Sequence, residues 1–478
     1  MITISNFNRK IFRTTLQNSI VMGPQKINYL FSIQLIVFFF TLNLLLLNPI
    51  HYAFSDGLFE ERLPPASVGD REASLYTKIN PPILTSDSKE DAFFELRLFD
   101  AKTDETIKFV SYFITVEKDG KLLMRDLFHS SQGPLKLKIN PTSSETVSVF
   151  GSTEPFLGGW TSQTGEITIN GPLLLEGGLY HFAIEIFGID SPRNIFTPDN
   201  APRFDSWLSV GDIYRQDIID NGKNYNLTLI SYYDQIQNFE YDSQKSNMSW
   251  IMPFNWDLKR IQDNNIFVHE EIKVPKTLTK FSETNAFDAL VNGNPLVGRS
   301  IALDPFTEEE NFIIHLLLNK ADIIKIAETI NNNNNTNSNI SNSTDKMMFS
   351  LSPAEQKTVE TTPEVVSDIG GILVKFNWQE PILSNQDTKL PLDFSDALTN
   401  EELNGNIKYD IIVYDKAGNK VITKQDLIAN NAEDSQIIKF PSKGIYQIEI
   451  HIKGITYPDV STPDETRNGI ARGTVVVN

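Results

Sequence analysis

His269-Glu270-Glu271 sets an imidazole beside two carboxylates, the residue types that hold a divalent cation or pass a proton. The second histidine of an HExxH pair is missing, because position 273 is lysine. On a strand His269 and Glu270 point to opposite faces, so those two do not chelate one ion together. The pattern therefore favours a surface strand of solvated polar residues. The six histidines, His51, His129, His181, His269, His315 and His451, are scattered, so a copper or zinc site would have to be assembled across strands. His269 and His315 are the histidine candidates for it. Calcium would instead need converging oxygens. Asp396 with Asn400, Glu401 and Glu402, or Asp205 with Asp212, offers them, without the order of an EF-hand. The aromatic set Trp250, Phe254, Trp256 and Phe267 could stack on a sugar, although aromatics in a β domain more often fill the core. There is no Gly-x-Ser-x-Gly elbow, phosphate loop or dinucleotide fingerprint. No residue is thus marked as catalytic, and no organic cofactor is implied.

Composition narrows the classes further. The 478 residues exceed one core and suggest two to four domains, with 40% hydrophobic and 22% charged residues, a globular balance. The net charge is −19. Arg9, Lys10, Arg13 and Lys26 precede position 56 with no acid beside them, which leaves 38 basic against 61 acidic residues from Asp56 onward, a charge of −23. Such a surface gains nothing from counterion release, which argues against nucleic acid as a partner and in favour of cations. The absence of cysteine excludes disulfides, thiolate nucleophiles, cysteine-ligated zinc, blue copper and iron–sulfur clusters.

Residues Tyr29–Leu47 are 19 residues without a charge, behind those four basic residues. The run is just long enough to cross about 30 Å of hydrocarbon as a helix. It reads as a signal peptide, with Ala53 and Ser55 as a small-x-small pair before Asp56, or as an uncleaved N-terminal anchor. Either way the positive-inside rule places residues 56–478 outside, attached to the membrane, if at all, through residues 29–47. Asn-x-Ser/Thr acceptors stand at Asn226, Asn247, Asn334, Asn339 and Asn342. The last three lie in the polar low-complexity run Asn331–Asp345, which cannot form a core.

The elements that must position any site are mostly strands. Pro, Gly and Asn punctuate short alternating runs, and only 321–330, with Ile323, Ile326, Ala327 and Ile330 at helical spacing, predicts a helix. Tyr112, Ile114 and Val116 share one strand face ahead of Asp119-Gly120, a type I′ hairpin signal. Gly178-Leu-Tyr-His-Phe-Ala-Ile-Glu-Ile-Phe-Gly188-Ile matches Gly444-Ile-Tyr-Gln-Ile-Glu-Ile-His-Ile-Lys-Gly454-Ile at identical spacing. A Gly-x-Tyr start to an alternating strand suits the penultimate strand of an immunoglobulin-like sandwich, with the tyrosine hydroxyl capping a neighbouring connection. The expected architecture is all-β: tandem immunoglobulin-like β-sandwiches at 75–220 and 362–478 flank a β-rich middle domain at 223–330. Residues 1–55 form a hydrophobic N-terminal helix and 331–361 an Asn/Ser-rich linker.

At Trp250-Ile-Met-Pro-Phe-Asn-Trp256, at Phe267-Val-His-Glu-Glu271 through Pro275-Lys276, and at Gly178-Leu-Tyr180, the chain resembles exported proteins of ammonia-oxidising archaea (Thaumarchaeota). The resemblance implies a tandem β-sandwich surface protein and carries no known activity. The sequence thus points to a non-catalytic extracellular or cell-surface protein for adhesion, envelope structure or ligand binding, with cell-envelope components as partners. The competing readings are a copper- or calcium-binding exoprotein and an exported hydrolase.

Overall fold

The computed structural model describes residues 55–478, except 86–90, 285, 297, 337–344, 355–360, 370, 398–399, 459–462 and 466. The apolar run 29–47 and the acceptors Asn339 and Asn342 lie outside the described residues. Among the described residues no helix is long and apolar enough to cross a membrane.

The described chain is all-β, and Tyr52–Asn478 forms one compact unit. Its first sandwich is built on the hairpin Val110–Lys118 and Lys121–Ser130. The intervening Asp119 and Gly120 have φ of 51° and 71°, the two positive values a type I′ turn requires. Gly178–Gly188 and Arg203–Val210 extend that sheet antiparallel. The facing sheet contains Arg71–Asn80, Phe93–Asp100, Leu135–Pro141 and Glu166–Gly171. Tyr112, Ile114 and Val116 are fully buried between the two sheets, as their alternation requires.

The second sandwich stacks Glu364–Val366, Ile372–Phe376, Asp387–Asp396 and Glu433–Lys439 on a sheet of Asn406–Tyr414, Lys420–Ala429, Gly444–Thr456 and Gly469–Val477. The two matched segments do the same work in the two sandwiches. The Tyr180 hydroxyl donates to the Glu176 carbonyl at 2.7 Å, and the Tyr446 hydroxyl to the Ser442 carbonyl at 2.8 Å, each four residues upstream. The later glycines agree too. A Cβ on Gly188 would come within 2.9 Å of the Asn194 carbonyl oxygen, and one on Gly454 within 3.0 Å of that of Asp464. Tyr180→Phe and Tyr446→Phe each leave a carbonyl without its donor, and each is expected to cost about 1–2 kcal/mol in urea unfolding. A loss below about 0.3 kcal/mol at both positions would show the corner to be ornamental.

The middle domain is a pair of five-stranded sheets closed by the helix Lys320–Thr336. Trp250 and Phe349 stack in its core with ring centroids 5.0 Å apart. Phe349 belongs to Lys346–Pro353, a strand paired on both sides, with Asn247–Pro253 and Phe287–Val291. That segment was expected to lie in the linker, and the structure corrects this. Met347, Phe349 and Leu351 alternate inward from it, a pattern hidden in the sequence by the polar run before it. Two further bounds shift. Asp212–Asp220 pairs with Lys223–Ser231 and so belongs to the middle domain, and the first sandwich includes strands upstream of residue 75.

The domains are joined by more than chain connectivity. Ser55–Leu58 runs parallel to Arg203–Val210 and to Asn265–Ile266, carrying the first sandwich's sheet into the middle domain. Phe267 and Leu317 of the middle domain pack with Val366, Leu373 and Ala397 of the second sandwich in a small apolar cluster.

Candidate functional site

Val268–Pro275 is the central strand of its sheet, hydrogen-bonded to Lys223–Ser231 on one side and Asn311–Leu318 on the other. It is not the solvated surface strand its composition favours, since five of its first residues in a row, Val268 to Ile272, are buried. Alternation sends Glu270 to one face and His269 with Glu271 to the other. Glu270 enters the core between the two middle-domain sheets, where its Oε1 accepts from the Ser231 hydroxyl at 2.7 Å. Burial holds its carboxyl well above the usual range.

His269 and Glu271 face the junction with the second sandwich. Cross-strand register sets Glu271 opposite His315 and brings His315 diagonal to His269. His269 Nε2 lies 3.1 Å from His315 Nδ1, and that Nδ1 lies 3.9 Å from Glu271 Oε2. One ligand atom from each of the three falls within 4.8 Å of the others. The His269 ring stacks on Tyr232 at 4.5 Å and 10° and donates to the backbone of Asp368. Tyr232 also donates from its hydroxyl to Glu271 Oε2 at 3.2 Å, while Lys273 Nζ stands 3.2 Å from Glu271 Oε1. Burial lowers the His269 pKa to about 4 and pushes that of His315 well below its ordinary value. Both rings are therefore neutral at neutral pH, with lone pairs available. Burial also raises the Glu271 carboxyl, against the pull of Lys273.

Behind the histidines Arg472, from the last strand, is buried among three carboxylates. Its Nη1 is 3.0 Å from Asp368, and its Nε is 3.3 Å from Asp304 and 3.5 Å from Glu449. Asp304 is fixed in turn by the backbone N–H groups of Phe306 and Thr307, both at 3.0 Å. These groups border a cavity of about 450 Å³ lined from all three domains: Phe59 and Ile83 from the first, Tyr232, His269 and His315 from the second, and Asp368 and Arg472 from the third. Such an arrangement can hold a cation on nitrogen and oxygen or bind a small polar ligand.

The remaining candidates do not converge. Asp396 is committed to Arg467 at 2.7 Å, and its backbone N–H donates to the Glu401 carbonyl. Glu401 itself is exposed, and Asp205 is bonded to His181 at 2.9 Å. Among the described residues neither acidic set brings three ligand atoms within 4.8 Å of one another. Trp250, Phe254, Trp256 and Phe267 are core residues, none more than 4% exposed, so they form no sugar platform. Asn226 is exposed and bonded to Asp217, whereas Asn247 is half-buried and accepts from Ser350. Tyr232, Asp304, Asp368, Glu449 and Arg472 carry no sequence signal of a site, being spread over 241 positions and brought together only by domain packing.

No protein-family model matches the chain, and no curated protein matches it in sequence. Among solved structures it is similar to the native α2-macroglobulin of E. coli, at TM-score 0.19 and 7% identity, over 88% of this chain and 34% of that one. It is also similar to a polysaccharide lyase, at 0.16 and 8%, over 84% and 46%. A third is invasin, a bacterial integrin-binding protein, at 0.15 and 8%, over 84% and 79%. The chain thus spans about a third of the macroglobulin and under half of the lyase. At these TM-scores the likeness carries no argument.

Proposed function

We propose that the chain is a non-catalytic exported protein of the cell surface, serving adhesion, envelope structure or ligand binding, with the three-domain junction as its ligand site. The observation that carries the site is the cavity at the junction, bordered by buried His269, His315 and Glu271 and by Arg472, whose side chain is 8% exposed. Burying charge is expensive, and a core that only had to hold domains together would be served as well by apolar side chains. Export is supported by the 19 uncharged residues behind Arg9, Lys10, Arg13 and Lys26. The resemblance to exported archaeal proteins adds an archaeal envelope as the setting and envelope components as partners.

Protease added to intact cells that make the protein is expected to remove it while a cytoplasmic marker survives. Protection equal to the marker's would overturn the location. Purified protein is expected to bind isolated envelopes saturably, and Ile83→Trp, which fills the cavity, to weaken that binding. Binding untouched by Ile83→Trp would take the junction out of the reading.

A further inference from the structure

We infer that His269, His315 and Glu271 form a binding site for a first-row divalent transition metal, zinc or copper(II) by ligand type, with a coordination position open to the junction cavity. This names the ligand class of the junction site proposed above and rests on that reading of the cavity. The location of the protein and the occupancy of the site are tested by different measurements, so each can fail alone.

Metal–nitrogen bonds of about 2.0–2.1 Å at tetrahedral angles hold neighbouring ligand atoms about 3.3 Å apart. The observed separations, 3.1 Å between His269 Nε2 and His315 Nδ1 and 3.9 Å from there to Glu271 Oε2, bracket that edge. Small side-chain shifts would seat an ion. Two imidazoles and one carboxylate select a borderline cation over calcium or magnesium, which take oxygen alone. Three protein ligands leave the fourth tetrahedral position free, and His269, Glu271 and His315 all line the cavity.

The surroundings supply what a bound metal needs. The Asp368 backbone accepts from the His269 ring, and Tyr232 and Lys273 each hold one oxygen of Glu271, the outer contacts that fix ligand orientation. The two facing nitrogens share one hydrogen in the protein alone, so a metal bound to both requires His315 to carry its proton on Nε2, which is buried with no hydrogen-bond partner among the described residues. Charge favours a cation. Five carboxylates, those of Glu271, Asp304, Glu308, Asp368 and Glu449, are linked here to two permanently basic groups, Lys273 and Arg472, with His451 against Glu449. A divalent cation offsets that excess.

The test uses the full-length chain, purified in detergent, stripped with a chelator and dialysed against zinc, copper(II) or cobalt(II) alone. The expected result is one ion per chain by elemental mass spectrometry, with the visible absorption of low-symmetry cobalt(II) in the cobalt form. His269→Ala and His315→Ala should each weaken binding by roughly 100-fold or more. Glu271→Gln, which keeps the shape and the Tyr232 contact, should weaken it by about 10-fold or more and guards against a variant that merely fails to fold. His181→Gln, on the exposed face of the first sandwich, should bind as the parent does. A folded chain that takes up no ion, or an ion whose affinity is the same in the His269, His315 and Glu271 variants, would overturn the proposal.

Discussion

Replacing Arg472 with methionine is expected to lower the stability of the chain by about 3–5 kcal/mol. The side chain is 8% exposed and lies within 3.5 Å of oxygens from Asp304, Asp368 and Glu449, which come from two domains. Removing one partner of a buried ion pair leaves the other charge in a medium that cannot solvate it, and here three carboxylates would be left facing one another. Methionine fills much the same volume, so the loss reports charge and not a cavity. Urea unfolding followed by tryptophan fluorescence should show the first transition shifted to lower denaturant, and limited proteolysis should cut between the middle domain and the second sandwich. Arg472→Met with Asp304→Asn should recover part of the loss. A single variant within about 1 kcal/mol of the parent would mean that water reaches the junction and screens the cluster.

Asp234 gives the second large effect, with the opposite sign. It lies where the first sandwich meets the middle domain, close enough to Gly178 that a Cβ there would stand 2.6 Å from its Oδ1. Burial raises its pKa from 3.8 to about 6, and Asp119 adds to this. The backbone N–H of Gln235, donating at 2.7 Å, and the nearby Lys118 act against it. A folded pKa above the unfolded one means that the native state holds the proton more tightly. The stabilisation is complete below about pH 4 and is lost as pH rises through about 6. At pH 7 the ionised carboxylate then costs up to about 3 kcal/mol, from 1.36 kcal/mol per pKa unit. Asp234→Asn can still accept from Gln235 but must house an amide, so it is expected to gain about 1–2 kcal/mol at pH 7–8 and nothing at pH 4. Unfolding curves across that range check it. A variant that follows the parent at every pH would place Asp234 in contact with water.

How much of this was legible in the chain depends on the range of the interaction. The Asp119-Gly120 hairpin, the inward face of Tyr112, Ile114 and Val116, and the helix near 321–330 follow from neighbours a few residues apart, where period and turn chemistry act directly. The Gly-x-Tyr corner was legible for the same reason, since the hydroxyl reaches back four residues in both sandwiches. The strand Lys346–Pro353 was not, because its pairing partners lie about 60 and 100 residues upstream and a polar run precedes it.

The site divides along the same line. Composition determined an acidic, cysteine-free, β-rich chain, and local pattern determined that His269 and Glu271 share a face while Glu270 does not. Burial of that strand, and the pairing of His315 with it, were decided by register across a sheet 46 residues apart. The approach of Asp368 and Arg472 was decided by the packing of one domain on another. A strand's alternation fixes which side chains point together. It cannot say whether they point into water or into another domain, because that is set by apolar surface and charge supplied from elsewhere in the chain.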